Sequence, residues 1–271
     1  MPKIKIGILG CQGRMGKALT AATLDHDAAI LSGGTEMVGN PLIGSYIKHP
    51  ETGQQTDIKI TSDAEDVIRN SDVVLDFTCP TASLLHASFA EKYKTAMVIG
   101  TTGLSTSDEN TIKKSAANTA IVYASNFSTG VNLLFYLTRL ASSILDEDFD
   151  IEILEMHHRD KVDAPSGTAL SLGHEAAIGR GKELKNIMTP ARDGIGKARD
   201  KGSIGFASLR GGNVAGDHTV SFNANDERIE LTHKAGNRAI FARGAVKAAL
   251  WVYDKKPGLY NMADVLGLDQ L

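Results

Sequence analysis

Short apolar runs alternate with helical patterns along the first 128 residues of the chain. The runs at 73–75 and 97–99 are apolar at every position, whereas the segment 14–26 repeats apolar residues at helical spacing. Strands that are apolar on both faces are typical of a parallel sheet covered by helices on both sides. The pattern therefore predicts an α/β domain, a Rossmann-type doubly wound parallel sheet, over residues 1–128.

The pattern changes after residue 128. A long helix is predicted first, then a strand that runs to the histidines at 157 and 158, then a helix opened by Ser166. The later strands alternate apolar and polar residues, as in antiparallel sheets with one face toward water. We expect a second α+β domain with a mostly antiparallel sheet over residues 129–237.

Two segments of the second half have their own character. Residues 180–202 are polar and weakly patterned, so we expect a mobile surface loop there. The segment 238–271 begins with a strong helical pattern, and we expect it to return to the first domain.

Composition narrows the function without naming it. The chain is 42% hydrophobic and 23% charged with a net charge of −3, so we expect no nucleic-acid partner. Its two cysteines form no CxxC pair, which disfavours a disulfide framework or a metal site. The first residues lack a signal-peptide pattern, and no run of about 18 apolar residues occurs. These features predict a cytoplasmic protein without a membrane partner.

A glycine-rich loop follows the first predicted strand. Gly10, Gly13 and Gly16 stand between that strand and a helix, where they permit a tight turn, a close approach to a pyrophosphate and close helix–strand packing. Glu36 follows about 20 residues later, where a carboxylate accepts hydrogen bonds from an adenosine ribose. A plain glycine turn with a surface Glu would need no such spacing, so the context favours dinucleotide binding.

The residues beside this acid bear on which cofactor binds. A 2′-phosphate needs a nearby cation, but Glu36 is followed by the uncharged Met37, and Arg14 in the loop is the other source of charge. NADH is therefore favoured over NADPH. Two further strands end in the small and hydroxyl residues of 100–102 and 124–127, which suit backbone contacts to a nicotinamide ribose.

The stretch "EMHHRDKVDAPSGTA" combines three useful groups. His157 is a candidate proton donor near neutral pH, and Lys161 is a cation for a carboxylate or a second acid. Ser166, Gly167 and Thr168 open a helix, whose N-terminus favours anions. Such a histidine pair alone is more often a surface feature, and Ser166 alone a plain cap. A nicotinamide supplies hydride but no proton, so the combination favours a reductase site for an anionic substrate.

These motifs resemble the 4-hydroxy-tetrahydrodipicolinate reductase (dihydrodipicolinate reductase) family of bacterial lysine and diaminopimelate biosynthesis. The resemblance rests on "GCQGRMG", "GTTG", "ASNFSTGVN", "EMHHRDKVDAPSGTA", "SLRGGNVAGDHTVSF" and "HKAGNRAIFARGA". It implies hydride transfer from NADH or NADPH to a dicarboxylate ring with loss of water. It also implies a homotetramer assembled through the sheet of the second domain. Met37 departs from the family, many of whose members carry Arg at this position.

The resemblance also implies residue roles. His157 would donate a proton and Lys161 would be a second acid. His158, Lys161, Ser166, Gly167 and Thr168 would bind the dicarboxylate. The cofactor would be held by Gly10, Cys11, Gln12, Gly13, Arg14, Met15, Glu36, Gly100, Thr101, Thr102, Ala124, Ser125, Asn126 and Phe127.

Two other classes of protein stay open at this point. The chain could be another nicotinamide dehydrogenase for an amino-acid precursor such as a semialdehyde or homoserine, with Cys79 as a nucleophile. It could also be a non-enzymatic NAD-sensing module whose second domain only oligomerises. That last class does not account for a proton donor beside a carboxylate-binding pair. His174, His218 and His233 follow packing or surface patterns and are weaker candidates than His157.

Overall fold

The structure is a computed structural model that describes residues 2–268. The chain forms two compact units. The first contains the residues up to Thr129 together with those from Ala239 onward, and the second contains Gly130–Arg238. Among the described residues, no helix has the length and apolar character needed to cross a membrane.

The first unit is built from alternating strands and helices. Before the second unit begins, its elements are β1 (Ile4–Leu9), α1 (Arg14–Leu24), β2 (Ala29–Thr35), β3 (Tyr46–Lys48), β4 (Gln55–Thr61), α2 (Ala64–Arg69), β5 (Val73–Asp76), α3 (Pro80–Tyr93), β6 (Ala96–Ile99), α4 (Thr106–Ala116) and β7 (Ala120–Tyr123).

The second unit starts with a long helix and then gathers its strands. Its elements are α5 (Thr129–Ile144), β8 (Asp150–His157), α6 (Gly167–Gly179), α7 (Leu184–Ile187), β9 (Met188–Thr189), β10 (Ile204–Arg210), β11 (Asp217–Asn223) and β12 (Arg228–Lys234). The chain then returns to the first unit with α8 (Ala239–Val252), β13 (Gly258–Tyr260) and α9 (Met262–Leu266).

The sheet of the first unit has the order β13-β7-β6-β5-β1-β2-β4-β3, and its pairs are parallel except for the antiparallel pair β3–β4. The predicted doubly wound parallel sheet is confirmed. The three-residue strands β3 and β13 at its edges have too few positions for the sequence pattern to reveal them.

Helix α8 belongs to the core of the first unit. Its alanines Ala242, Ala245, Ala248 and Ala249 are fully buried, because small side chains let the helix lie close to the sheet. A Cβ on Gly244 would stand 1.7 Å from the Phe127 carbonyl oxygen, so the helix contacts the loop after β7 directly. The C-terminal segment thus supports one of the predicted cofactor loops.

The sheet of the second unit has the order β12-β11-β8-β10-β9. The pairs β8–β11 and β11–β12 are antiparallel, as predicted, and the pairs β8–β10 and β10–β9 are parallel. One face packs against α5 and α6 through residues such as Leu134, Leu172 and Ile153. The α+β character of this unit is confirmed, with a mixed sheet.

The prediction of an unpatterned loop at 180–202 is wrong in part. The segment contains α7 and β9, and Leu184 is buried in the core of the second unit. The guanidinium of Arg199 donates to carboxylate oxygens of Asp150 and Glu152 at 2.7 and 3.0 Å. These partners lie about 50 residues away in the chain, so local patterning does not reveal them.

Candidate cofactor and substrate sites

The glycine loop joins β1 to α1 with the geometry that its spacing predicts. Gly10 has a φ of +73°, a left-handed backbone that favours glycine. A Cβ on Gly16 would lie 2.0 Å from the Gly10 carbonyl oxygen, so any side chain there would separate the helix from the loop. Gly13 is the N-cap of α1 and offers no side chain to cap it. The first helical turn therefore keeps its N–H groups for an anion.

The carboxylate of Glu36 is held in place at the end of β2. Its Oε1 accepts from the Gln12 backbone N–H at 2.7 Å, and its Oε2 accepts from Asn40 Nδ2 at 3.1 Å. Glu36, Gly10 and Gly13 line one cavity of about 510 Å³, which the exposed Met37 also borders. An anion-binding helix end, a fixed carboxylate and an apolar wall fit the phosphates, ribose and adenine of a dinucleotide.

The loops after β6 and β7 are tied to the end of β5. The Gly100 N–H donates to the Asp76 carbonyl at 2.8 Å, and the Thr78 N–H donates to Thr101 Oγ1 at 3.1 Å. The rings of Phe77 and Phe127 lie 5.2 Å apart. The segments 100–102 and 124–127 therefore form one connected edge at the carboxyl ends of parallel strands.

Cys11 belongs to this loop but turns its thiol into the core. The residue is 1% exposed, and burial, followed by the charge of Glu36, raises the pKa of the thiol to about 11. Only the backbone of Cys11 is therefore available to a ligand. Arg14, Thr102 and Ser125 are exposed, whereas Met15 and Asn126 are half-buried.

Asp76 is a buried residue of this edge that sequence reasoning missed. Its carboxylate is fully buried and accepts from the Thr78 N–H at 3.0 Å. It also pairs with Nδ1 of His86 at 2.8 Å, and His86 borders the same cavity as Glu36. The run "VVLDFT" gives one indication, since an acid that ends a buried strand needs a partner nearby.

The second site begins where β8 ends. The strand stops at His157, so the expected continuation through His158 does not occur. His157 is 9% exposed, and its Nδ1 lies 2.6 Å from Oε2 of Glu155. Because a carboxylate accepts hydrogen bonds, this contact assigns a proton to Nδ1 and leaves Nε2 as the ring nitrogen for other chemistry.

Glu155 is 1% exposed and lies inside a set of donors. Arg210 donates to both of its carboxylate oxygens at 2.9 Å, and the Ser166 N–H donates to Oε1 at 3.2 Å. Burial opposes the charged carboxylate, but hydrogen bonds from Arg210, Ser208 and His157 outweigh it and lower the pKa of Glu155.

Ser166 caps the helix that the sequence predicts. Its Oγ accepts from the Ala169 N–H at 3.2 Å and lies 3.1 Å from Nε2 of His218. Gly167 begins α6, and a Cβ placed there would have no neighbour within 4 Å. Thr168 follows in the first turn. The start of this helix is therefore fixed on its inner side and open at Gly167, which suits a carboxylate.

His218 lies closer to the site than the sequence pattern suggests. Its ring packs edge-on against that of His157, with centroids 5.1 Å apart. Burial, followed by the charge of His157, lowers the pKa of His218 to about 4, so this imidazole stays neutral at neutral pH. His174, in contrast, is exposed on α6, in agreement with the expectation that it is a packing or surface residue.

Lys161 lies in the turn between β8 and α6, and its N–H donates to the His158 carbonyl at 3.2 Å. Its Nζ forms an ion pair with Asp163 at 2.7 Å, and this hydrogen bond lowers the pKa of Asp163. The structure brings His157, Ser166 and the backbone of Lys161 onto one scaffold, while the Lys161 ammonium faces a neighbouring carboxylate.

Sequence reasoning missed Glu155 and Arg210 in this site, and it ranked His218 as a weaker candidate. One indication was available for Glu155, because β8 buries every second residue and Glu155 shares that register with Ile151, Ile153 and His157. A glutamate on the buried side of a strand requires a partner. Nothing local points to Arg210, which is 55 residues away.

No group of three or more His, Cys, Asp or Glu side chains within residues 2–268 is arranged to hold a metal ion.

The parallel sheet, the glycine loop after β1 and the fixed carboxylate of Glu36 at the end of β2 are the features of a Rossmann-type oxidoreductase that uses a nicotinamide dinucleotide. Family models described as "Dihydrodipicolinate reductase, N-terminus" and "Dihydrodipicolinate reductase, C-terminus" match residues 4–127 and 130–266. The chain belongs to the dihydrodipicolinate reductase family, as its motifs predict.

Two named relatives agree with this assignment, and one solved structure shares the fold. A 4-hydroxy-tetrahydrodipicolinate reductase of Parvibaculum lavamentivorans is 50% identical and covers 98% of both chains. One from Rhodopseudomonas palustris strain HaA2 is 47% identical and covers 99% of both. The dipicolinate-bound dihydrodipicolinate reductase of Paenisporosarcina sp. TG-14 has the same fold, with a TM-score of 0.78 at 24% identity over 97% of this chain and 98% of that one.

Family membership decides between the open classes. Members of the family are oxidoreductases that use NADH or NADPH, so the predicted enzyme class and cofactor pair are confirmed. The non-enzymatic sensing module and the semialdehyde dehydrogenase are set aside. Cys79 lines the same cavity as Glu36, but the family assignment requires no thiol nucleophile.

Proposed function

We propose that the chain reduces 4-hydroxy-tetrahydrodipicolinate to tetrahydrodipicolinate and water, as a step of lysine and diaminopimelate biosynthesis. The observation that carries this proposal is the buried His157, held at Nδ1 by Glu155 beside the start of α6. The reduction of a dicarboxylate substrate requires a proton donor next to an anion-binding group, and this arrangement supports these two roles for His157 and the start of α6.

The first unit, residues 1–128 with 238–271, binds the cofactor in this proposal. The first turn of α1 holds the pyrophosphate, and Glu36 accepts from the adenosine ribose. The segments 100–102 and 124–127 contact the nicotinamide half. NADH or NADPH bound there supplies the hydride.

The second unit, residues 129–237, binds the substrate and supplies the proton. The Nε2 of His157 donates it, while Glu155 stabilises the protonated ring and keeps the imidazole in one orientation. The Ser166 N–H stays on Glu155, so the N–H groups of Gly167 and Thr168 receive one carboxylate of the substrate. Ser166 fixes the start of α6 for that contact, and His158 and Lys161 bind the dicarboxylate from the side of the turn. Lys161 exchanges Asp163 for the substrate and is the second acid.

The experiment that tests this function is NADH oxidation with substrate generated enzymatically from pyruvate and aspartate semialdehyde. His157→Gln should lower turnover by about 10²-fold or more, because a general acid contributes about 10²–10⁴. Its dissociation constant for NADH should stay near that of the unchanged chain.

His174→Gln is the matched control, because this histidine is exposed on α6. It should turn over normally. An unchanged chain without activity would overturn the proposed function, and normal turnover of His157→Gln would remove His157 from the mechanism.

The proposed cofactor preference is NADH. The Glu36 carboxylate would repel a 2′-phosphate, and the exposed Met37 beside it offers no compensating cation. The ratio of kcat/KM should favour NADH or be near one, and Met37→Arg should raise kcat/KM for NADPH while Met37→Leu should not. A strong NADPH preference of the unchanged chain would contradict this reasoning.

The predicted homotetramer in the cytoplasm also belongs to this proposal. The sheet face of the second unit opposite α5 and α6 carries the partly exposed side chains Leu154 and Leu209, at 43% and 48%. Apolar residues on an open sheet face suit contact with another copy. Sedimentation should give four chains per particle, and Leu154→Lys should dissociate it.

A further inference from the structure

We propose that Glu155 and Arg210 form one positioning device for the substrate site. The pair fixes the proton donor His157, the turn with Lys161 and the start of α6 in a single arrangement. This inference rests on the proposed function and assigns a task to two residues that do not themselves react.

Glu155 is a buried charge next to the proton donor. It lies in β8 two residues before His157, on the buried side of the strand, and it is 1% exposed. A buried carboxylate is costly unless charge and hydrogen bonds compensate it. Its partners show which parts of the site depend on it.

Arg210 compensates this charge with two parallel hydrogen bonds. The Nη1 donates to Oε2 and the Nη2 to Oε1 of Glu155, both at 2.9 Å. Arg210 lies in β10 directly across from His157 in the parallel ladder. A bidentate guanidinium–carboxylate pair fixes orientation as well as charge, which a lysine cannot reproduce.

Each carboxylate oxygen of Glu155 also accepts a second hydrogen bond. Oε2 accepts a hydrogen bond from Nδ1–H of His157 at 2.6 Å, and Oε1 accepts one from the Ser166 N–H at 3.2 Å. One carboxylate therefore sets both the tautomer of the proton donor and the entry of the chain into α6.

Arg210 also donates hydrogen bonds to backbone carbonyls of the turn. Its Nε donates to the Lys161 carbonyl at 3.2 Å, and its Nη2 donates to the Asp163 carbonyl at 2.6 Å. The same guanidinium thus holds the turn between β8 and α6. The proton donor His157, the turn after β8 and the start of α6 are therefore all hydrogen-bonded to this one pair.

Glu155→Gln tests the device, because Gln keeps the shape but loses the charge. We expect kcat to fall at least tenfold while the KM for NADH stays unchanged. The pH above which kcat declines should move downward, since the anion that stabilises a protonated His157 is gone. The other groups around His157 and Glu155 are Arg210 from β10, His218 from β11 and Lys161 from the turn, and the variant changes none of them.

Glu152→Gln is the matched control. Glu152 lies in the same strand and pairs with Arg192 and Arg199, on the opposite face from His157. It should lower stability without changing kcat or the pH profile. If Glu155→Gln gave the same result as this control, the pair would be a structural ion pair only and the inference would fail.

Two further measurements keep the test decisive. If Glu155→Gln does not fold, Arg210→Lys retains the charge but not the fork, and it should lower kcat and weaken binding of pyridine-2,6-dicarboxylate. Normal values for both would overturn the inference. Nitrogen-15 NMR of the unchanged chain should show a His157 Nδ1–H in a strong hydrogen bond. Its absence would refute the device, whereas absence of NADH oxidation would refute only the proposed function.

Discussion

Two helices, α1 and α6, begin at the proposed ligand sites, and different kinds of residue surround their N-terminal ends. α1 begins after Gly13 without a side-chain cap, with glycines wherever a side chain would collide. α6 begins after Ser166 with a side-chain cap, a buried carboxylate and a guanidinium behind it. The N-terminal end of α1 depends on the absence of side chains, whereas that of α6 depends on a carboxylate and a guanidinium that pair with each other.

The difference follows from the ligands proposed for the two sites. A pyrophosphate needs close approach to many backbone N–H groups, and Cβ atoms obstruct that approach. A substrate that must be protonated also needs an acid in a fixed orientation, which only side chains provide. The first site should therefore be sensitive to added volume, and the second to lost charge.

Added volume should have the largest effect. Gly16→Ala places a Cβ 2.0 Å from the Gly10 carbonyl oxygen, so the loop and α1 must separate and NADH binding should be lost. Gly167→Ala meets no atom within 4 Å, so the protein should fold and bind NADH normally. The added methyl group should only weaken the binding of pyridine-2,6-dicarboxylate. Titration of both ligands into both variants measures this, and NADH binding by Gly16→Ala would refute the volume argument.

Lost charge should have the next largest effect. Lys161→Ala removes an ammonium from the turn, and a charged hydrogen bond contributes about 1.5–3 kcal/mol. We expect affinity for pyridine-2,6-dicarboxylate to fall roughly tenfold to a hundredfold, with a lower kcat and unchanged NADH affinity. Arg159→Ala is the control, because Arg159 is exposed two residues away. Equal losses in both variants would show that only the general charge of the turn matters.

The buried imidazole of His218 should make the stability of the protein depend on pH. The pKa of His218 is about 4 when folded but ordinary when unfolded, so the unfolded chain binds more protons between these values. Stability should therefore fall as the pH drops below about 6.5. The lowered pKa of Glu155 acts in the same direction at still lower pH.

His218→Gln should flatten this dependence by about 2 kcal/mol between pH 7 and pH 5. Urea unfolding of the intact chain at both pH values measures the difference. His174→Gln should leave the slope unchanged, because this histidine is exposed. An identical slope in His218→Gln would mean that His218 is not the group responsible.

The same contrast explains how much the sequence could predict. The glycine loop and Glu36 were predictable because a turn, a helix end and a following strand are written within about 30 consecutive residues. His157, Lys161 and Ser166 were predictable as a cluster for the same reason. Their spatial relation was not, because it depends on Arg210, which reaches them through a parallel strand pair.

Alternation has a similar limit for the fold. Alternating apolar and polar residues predicted the strands β10, β11 and β12, because this pattern distinguishes the side of a strand that faces water from the side that faces the core. Alternation does not encode the direction of a neighbouring strand, so the parallel pair β8–β10 came only from the structure. Residues 184–189 show the other limit, since four or fewer positions per element carry no period.

The contribution of α8 to the first unit has a consequence for synthesis on the ribosome. The second unit occupies one continuous stretch, Gly130–Arg238, and all of it leaves the exit tunnel before α8 does. The first unit lacks Ala242, Ala245 and Val246 until then, and these side chains belong to its core. The half of the protein that is translated first is therefore the half that finishes folding last.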